Sequence, residues 1–381
     1  MKNYIFAFIV MAVSGCIYLG CQSSEKKVTE GWSTSMQELS GELKDILPFI
    51  YSEVEFRDEK NREKIQVGVL KLSKTSHNIS PELGDKVAGD DPIIQHSLAS
   101  LSKDIDLAYQ TYNEGNFEFS NGLLKESLRH CFRCHTRANI GPEFKGLNMN
   151  FSGLRISPIE KAEVYVALRQ YDSALQLLQG NITSGINFYE QPYVQERALE
   201  RYLALMVRVK KDYLKSIQTL DQFLDKANLP FYLVENVKAW KKSLVFWQKR
   251  KMDYKAANQM LKRATQLQED ISFQAGMVEY LLATQILHST LAEQKNPSDK
   301  AKVYSQLGSA YEALIDLGYW SLPEVYYEAC VDMVPNTKLA QSCFRDFERN
   351  VVLGYSGSAG VFIPKEERDK IKKLRTVAFG Q

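Results

Sequence analysis

The segment Phe117-Glu118-Phe119-Ser120-Asn121-Gly122-Leu123-Leu124-Lys125-Glu126-Ser127-Leu128-Arg129-His130-Cys131-Phe132-Arg133-Cys134-His135 decides how the rest of the chain is read. Phe117, Leu124, Leu128 and Cys131 recur at helical spacing, so the stretch forms an amphipathic helix with one apolar face. Gly115-Asn116 turns the chain ahead of it, with Asn116 as N-cap. The helix closes on Cys-x-x-Cys-His, the attachment signature of c-type haem. Thiols three residues apart share a helical turn and can both reach the vinyl groups on one porphyrin edge. The imidazole of His135 then swings beneath the iron as proximal ligand. His135 falls in angular line with Phe117, Leu124 and Leu128, so the ring is expected to point into a bundle. The motif occurs once, which predicts one covalent haem c.

Other chemistries use the same cysteine spacing. A thioredoxin-like pair opens a helix after a strand, whereas here a helix is already under way before Cys131. A zinc site needs a second ligand pair, and the chain has no other Cys-x-x-Cys or close histidine pair.

Covalent haem attachment takes place outside the bacterial cytoplasm, so the N-terminus is an independent check. Lys2 is followed by an apolar run from Tyr4 to Val13, too short to span a bilayer comfortably, and then by Ser14-Gly15-Cys16. This is the layout of a secretory signal over residues 1–20. Val13-Ser14-Gly15-Cys16 resembles the lipobox of bacterial lipoproteins, in which the cysteine is diacylated and becomes the first mature residue. Tyr18-Leu19-Gly20-Cys21 is a second match. Tyr18 sits poorly three before a cysteine, which favours Cys16, while the polar stretch Gln22 to Lys27 favours Cys21. A lipid-anchored protein on the periplasmic side of the envelope is expected. Neither cysteine is followed by Asp, which is compatible with the outer membrane.

Two of the six cysteines are then assigned to haem and one to lipid. Cys330 and Cys343 flank a turn at Pro335-Asn336, and antiparallel helices meeting there would bring them within disulfide reach in an oxidising compartment. Two unpaired buried thiols are the alternative. With 48 basic against 46 acidic residues the net charge is +2, and no basic tract or Gly-rich phosphate loop points to nucleic acid.

Long amphipathic stretches dominate and strand-like alternation is absent, so the fold class is all-α. Residues 30–140 read as four helices. The first runs from Trp32 to Tyr51 with Met36, Leu39, Leu43, Leu47 and Ile50 on one face. The second spans Asn61 to His77, and the third carries Ile94, Leu98, Leu101, Ile105, Ala108 and Tyr112. The fourth is the helix that begins at Phe117. Four helices with Cys131, Cys134 and His135 at the end of the last resemble the class II c-type cytochromes, the cytochrome c′-like bundles. A class I cytochrome c, with its motif near the domain's start and a downstream Met ligand, is the second choice, since Met149 lies in a linker over 141–158.

Up-down-up-down connectivity puts Met36, His77 and His96 at the same pole as His135. The resemblance implies a methionine on the first helix as sixth ligand, which Met36 matches by position, and His77 ranks next. An open sixth position remains the other possibility and would suit a small gas such as NO or CO. Arg133 and Arg137 are either partners of haem propionates or solvated surface residues.

From 159 to 381 the chain changes character. Tyr171-Asp172-Ser173-Ala174-Leu175-Gln176-Leu177-Leu178, Tyr213-Leu214-Lys215-Ser216-Ile217-Gln218-Thr219-Leu220 and Tyr254-Lys255-Ala256-Ala257-Asn258-Gln259-Met260-Leu261 share the pattern Tyr-x-x-small-x-x-x-Leu. Their tyrosines lie 42 and 41 residues apart, a period that means stacked helical hairpins. The segment resembles a tetratricopeptide-type array (a TPR-like solenoid), which implies a concave surface that docks a protein partner. Trp240, Trp247, Tyr319, Trp320, Tyr326 and Tyr327 either line that groove or fill the hairpin core. Helices are expected over 300–317, 322–333 and 338–353, then a Gly-Ser turn from Gly354 to Gly360 and a capping helix from Pro364 to Thr376.

The leading expectation is a tethered monohaem cytochrome that transfers single electrons and docks a redox partner. A gas or redox sensor with an open iron site, and an envelope scaffold or assembly factor with structural haem, are the alternatives. No catalytic residue set is apparent; peroxidase-type turnover has no evident acid–base group beside the motif.

Overall fold

In the computed structural model, residues 32–79, 91–137, 149–184, 192–226, 228–272, 274–319 and 321–380 are described. Cys16, Cys21, Trp320, the whole expected signal segment and residues 141–148 of the expected linker lie outside them. The described chain is all-α apart from one two-residue hairpin, and none of its helices is long and apolar enough to cross a membrane.

Helix α1 covers 32–50. The short α2 (Glu53–Arg57), capped by Ser52, and a 3-10 turn (Glu59–Asn61) lead into α3 (Arg62–Asn78). Then come α4 (Ile93–Asn113) and α5 (Phe117–Arg137). These helices share one apolar core because their apolar residues recur every three to four positions. Leu43, Leu47 and Ile50 of α1 meet Ile65 and Val69 of α3, Leu101 and Ile105 of α4, and Leu124 and Leu128 of α5. Tyr112 ends the stripe of α4, its ring edge-on to Phe56 and its hydroxyl donating to the Phe56 carbonyl at 3.2 Å.

Most of the remaining helices pack on the next in the chain, and some on the next but one. They are α6 (Pro158–Ala167), α7 (Tyr171–Thr183), α8 (Pro192–Ala204), α9 (Tyr213–Leu224), α10 (Phe231–Trp247), α11 (Tyr254–Asp270), α12 (Met277–Glu293), α13 (Pro297–Glu312), α14 (Leu322–Met333), α15 (Lys338–Gly354) and α16 (Lys365–Phe379). Each repeat tyrosine is the first residue of its helix, at the start of α7, α9 and α11. Ala174, Ser216 and Ala257, the small residues three positions on, are fully buried where neighbouring helices come close. Asp212 and Asp253 cap α9 and α11 by accepting from the backbone N–H three residues ahead. The Gly-Ser turn closes as the hairpin, β1 (Ser356–Gly357) against β2 (Gly360–Val361).

The two cores are not separated by an idle linker. Ile156 and, from α6, Val164 and Ala167 belong to the first core, while Ile93, Ile94 and Phe132 belong to the core of the later helices. The helix carrying the Cys-x-x-Cys-His motif is therefore buried on both sides. Helix α6 packs on both cores, since Ile159 and Ala162 belong to the second.

Trp240, Trp247, Tyr319, Tyr326 and Tyr327 are all core residues, none more than 1 % exposed, so none lines a groove. Cys330 on α14 and Cys343 on α15 are joined as a disulfide with Cα atoms 6.2 Å apart. The turn between those helices takes a left-handed residue at Asn336, φ 58°. The bridge closes a loop of 13 residues, a length at which cross-linking stabilises a fold by about 3 kcal/mol. Cys330→Ser with Cys343→Ser is expected to lower the stability of the C-terminal helices by about that amount. Urea unfolding followed at Trp240 and Trp247, with and without reductant, measures it.

Candidate haem site

Cys131, Cys134 and His135 sit in the last turns of α5. Cys131 packs against the first core and Cys134 against the second, both half-buried. Burial pushes the Cys131 thiol up to about 12 and the Cys134 thiol upward as well. Position reinforces this, since the partial negative charge at a helix C-terminus opposes a thiolate. An activated thiolate pair gathers its charge at a helix N-terminus, so the arrangement speaks against dithiol redox chemistry.

The imidazole of His135 is set by α6. Ser157 starts that helix as half of a capping box: its hydroxyl accepts from the Glu160 N–H at 3.2 Å, and the Glu160 carboxylate accepts from the Ser157 N–H at 2.9 Å. Pro158 occupies the first turn, where its missing N–H costs nothing. The helix ends ten residues on in a turn where the Arg169 N–H donates to the Val166 C=O at 2.9 Å. The same carbonyl also accepts from His135 Nδ1 at 3.0 Å. The ring thus meets the helix that covers the bundle, at the edge of the bundle rather than in its middle. A proton held on Nδ1 puts the lone pair on Nε2, and burial lowers the pKa of His135 to about 4, keeping the ring neutral. Metal-ligating histidines characteristically donate their second ring N–H in this way. Tyr171, the first repeat tyrosine, donates its hydroxyl to the His135 carbonyl at 3.0 Å and ties the end of α5 to α7.

The other motif residues face away and are clamped. Arg133 and Arg137 are not solvated; they are 4 % and 6 % exposed, and Arg137, three residues past Cys134, is near enough for its charge to act on that thiol. A step of two residues turns a helix by about 200°, which carries Arg133 away from Cys131 and Arg137 away from His135. Arg133 Nε donates to Gly318 O at 2.7 Å. Arg137 Nη2 reaches Asp91 Oδ2 at 2.7 Å, and Arg137 Nε donates to the same oxygen at 2.8 Å. Phe132 lies under the guanidinium of Arg201 at 4.5 Å, a cation–π contact.

Asp91 is the hub of this clamp. Besides Arg137 it pairs with His288 Nδ1 at 2.6 Å, and it accepts from the Tyr326 hydroxyl at 2.8 Å and from the Ile93 N–H at 3.2 Å. Burial alone would raise its pKa, but the charges of its partners His288 and Arg137 hold the carboxyl well below the usual range. His288 Nε2 in turn bonds the Tyr311 hydroxyl at 2.7 Å. Arg208 donates to Tyr311 at 2.9 Å and to Tyr319 at 2.7 Å, and Tyr319 meets Thr136 on α5 at 3.1 Å. Arg208 reaches in from a π-helical turn (Leu205–Lys210) that follows α8, the kind of local widening of the helix that re-aims a side chain.

For the sixth position, Met36 is half-buried and packs against the core that Cys131 also touches. His77 Nε2 is paired with Asp106 at 2.8 Å, and His96 Nε2 bonds Ser321 at 2.9 Å. His130 Nε2 is paired with Asp104 at 2.7 Å. Among the described residues, no three His, Cys, Asp or Glu side chains converge to hold a bare metal ion. No family model, curated protein or solved structure matches the chain.

Removing one partner of a buried ion pair leaves the other uncompensated, at a cost of about 3–5 kcal/mol. Asp91→Ala is therefore expected to destabilise the protein by about that amount, read as a fall in thermal midpoint. Burial lowers the pKa of His288 to about 4, so the folded chain resists protonating it. The unfolded chain takes up that proton as pH falls below about 6.5, so stability is lost between there and about 4. A denaturation series over that window should show a shallower loss in His288→Asn than in the native chain.

Proposed function

We propose that this chain is a c-type cytochrome that carries one haem and transfers single electrons, tethered to the bacterial envelope by lipid on Cys16 or Cys21. The observation that carries the reading is the donor set on α5. Cys131 and Cys134 lie one turn apart as neutral, half-buried thiols, and the neutral His135 is oriented by the Val166 carbonyl with its lone pair on Nε2. These residues fit covalent haem c. Cys131 and Cys134 would hold the porphyrin edge through thioethers and His135 would be the proximal ligand. The group would supply reversible one-electron chemistry there. The Val166 carbonyl, by accepting the Nδ1 proton, would keep the ring orientation fixed and raise the basicity of Nε2. Met36 would be the second protein ligand in this reading, since His77 and His96 already use Nε2 in other bonds. A Met/His pair raises the potential and suits electron transfer.

The bundle of α1 and α3–α5 would be a cytochrome c′-like domain, and the hairpins from α6 onward a TPR-like array that docks the redox partner. That the start of each repeat pattern coincides with the start of a helix, with its small residue buried, supports the second assignment.

A scaffold with structural haem is the second reading, and one observation favours it. Arg133, Thr136 and Arg137, within the motif or directly after it, are committed to contacts with the array.

Absorption spectra of purified protein, oxidised and reduced, test the proposal. A haem c spectrum that is low-spin in the reduced state is expected, with Met36→Ala converting it to a high-spin form that binds CO. A high-spin native spectrum unchanged in Met36→Ala would replace electron transfer with an open-site gas binder. Protein without haem absorbance would refute the cytochrome reading.

A further inference from the structure

Helices α11 to α16 and the first turn of α4 enclose a groove of about 1170 Å³. Pockets for small molecules run from about 300 to 1,000 Å³, so this one has room for a stretch of polypeptide. Its charge is lopsided. Glu312, Glu324, Glu328 and Glu367 line it with one cation, Lys370, giving −3 on a chain whose formal charge is +2. The acidity is therefore local, not a consequence of composition. The apolar part of the wall that solvent reaches is Leu353 and Tyr355.

The carboxylates are not equally satisfied. Glu312 pairs with Arg349 at 2.6 Å and Glu328 with Lys370 at 2.7 Å. Among the described residues no ion pair holds Glu324 or Glu367, and Glu324 Oε2 is buried without a hydrogen-bond partner. Burial pushes the Glu324 carboxyl up, more than its own backbone N–H and the charge of Lys370 pull it down. An ammonium or guanidinium supplies the missing donor and the missing charge together. His96 lies on the groove wall, where burial lowers its pKa and the charge of Arg133 on α5 lowers it further. An occupant would thus lie beside the helix that carries Cys131, Cys134 and His135.

We propose that this groove seats an amphipathic segment of a partner protein, its lysines or arginines meeting Glu324 and Glu367 and its apolar side chains resting on Leu353 and Tyr355. The inference rests on the reading of the helical array as the docking part of a cytochrome, and it names the chemistry of the partner.

The test uses the full haem-bearing chain and, as probe, a fluorescein-labelled amphipathic helical peptide of leucine and lysine, followed by anisotropy. Saturable one-to-one binding that weakens with salt is expected. Glu367→Lys, on the groove rim, and Glu324→Lys should each weaken it by about tenfold or more. Glu59→Lys, at the far end of the bundle, should leave it unchanged. A matching leucine–glutamate peptide should not bind. The proposal is overturned by equal affinity in Glu367→Lys and the native chain, by binding of the glutamate peptide, or by sedimentation showing that the groove is covered by a second copy of this chain. Spectra of the same samples keep the two readings apart. An intact haem spectrum without groove-dependent binding removes the groove alone. Groove-dependent binding by a chain without haem removes the electron-transfer reading and leaves the groove.

Discussion

Taking the Asp91 carboxylate out of water costs several kcal/mol unless its lone pairs are matched, and the molecule is arranged around matching them. Arg137 comes from the end of α5, His288 from α12, Tyr326 from α14 and the Ile93 N–H from the start of α4. Because these donors come from distant parts of the chain, the carboxylate is satisfied only when α4, α5, α12 and α14 are in register. The hydrogen-bond chain continues through Tyr311, Arg208 and Tyr319 to Thr136, back on α5. A network of this kind fixes one arrangement of the parts because a half-made version leaves charges stranded.

The consequence falls on the thiol and imidazole face of the same helix. Alone, the last turns of α5 would fray as helix ends do. Here Arg133, Thr136 and Arg137 hold the far side of those turns, while Val166 and Tyr171 hold the near side through His135. A ligand on a loop would move; one gripped from two cores keeps its geometry. The acidic groove borders the same turn through His96, so one short stretch of α5 lies between the proposed redox centre and the proposed docking seat.

The fold was largely readable from the chain because helical spacing is a local signal. Leu43, Leu47 and Ile50, or the stripe Ile94 to Tyr112, fix α1 and α4 from within one segment, and the repeat tyrosines mark the first residues of α7, α9 and α11. What escaped is non-local. Asp91 and His288 are 197 residues apart, and nothing near either announces the other. Arg133 and Arg137 read as ordinary surface or propionate-binding arginines because their partners, Gly318 and Asp91, belong to other parts of the fold. The orienting acceptor for His135 is a backbone carbonyl, which any residue at 166 would provide, so no side-chain pattern could reveal it. One clue was available. Arg208 sits within the apolar run Leu205-Met206-Val207-Arg208-Val209, and a charge in such a run is buried and paired.

Everything proposed for function depends on a porphyrin joined to α5 by two thioethers. Intact mass of the protein isolated from bacterial envelopes, followed by mass mapping of the proteolytic peptide spanning residues 130–135, addresses that bond directly. The account predicts one haem per chain, retained under denaturing conditions and located on the peptide containing Cys131 and Cys134. A mature chain carrying lipid but no added porphyrin, with both thiols open to alkylation after unfolding, would contradict it.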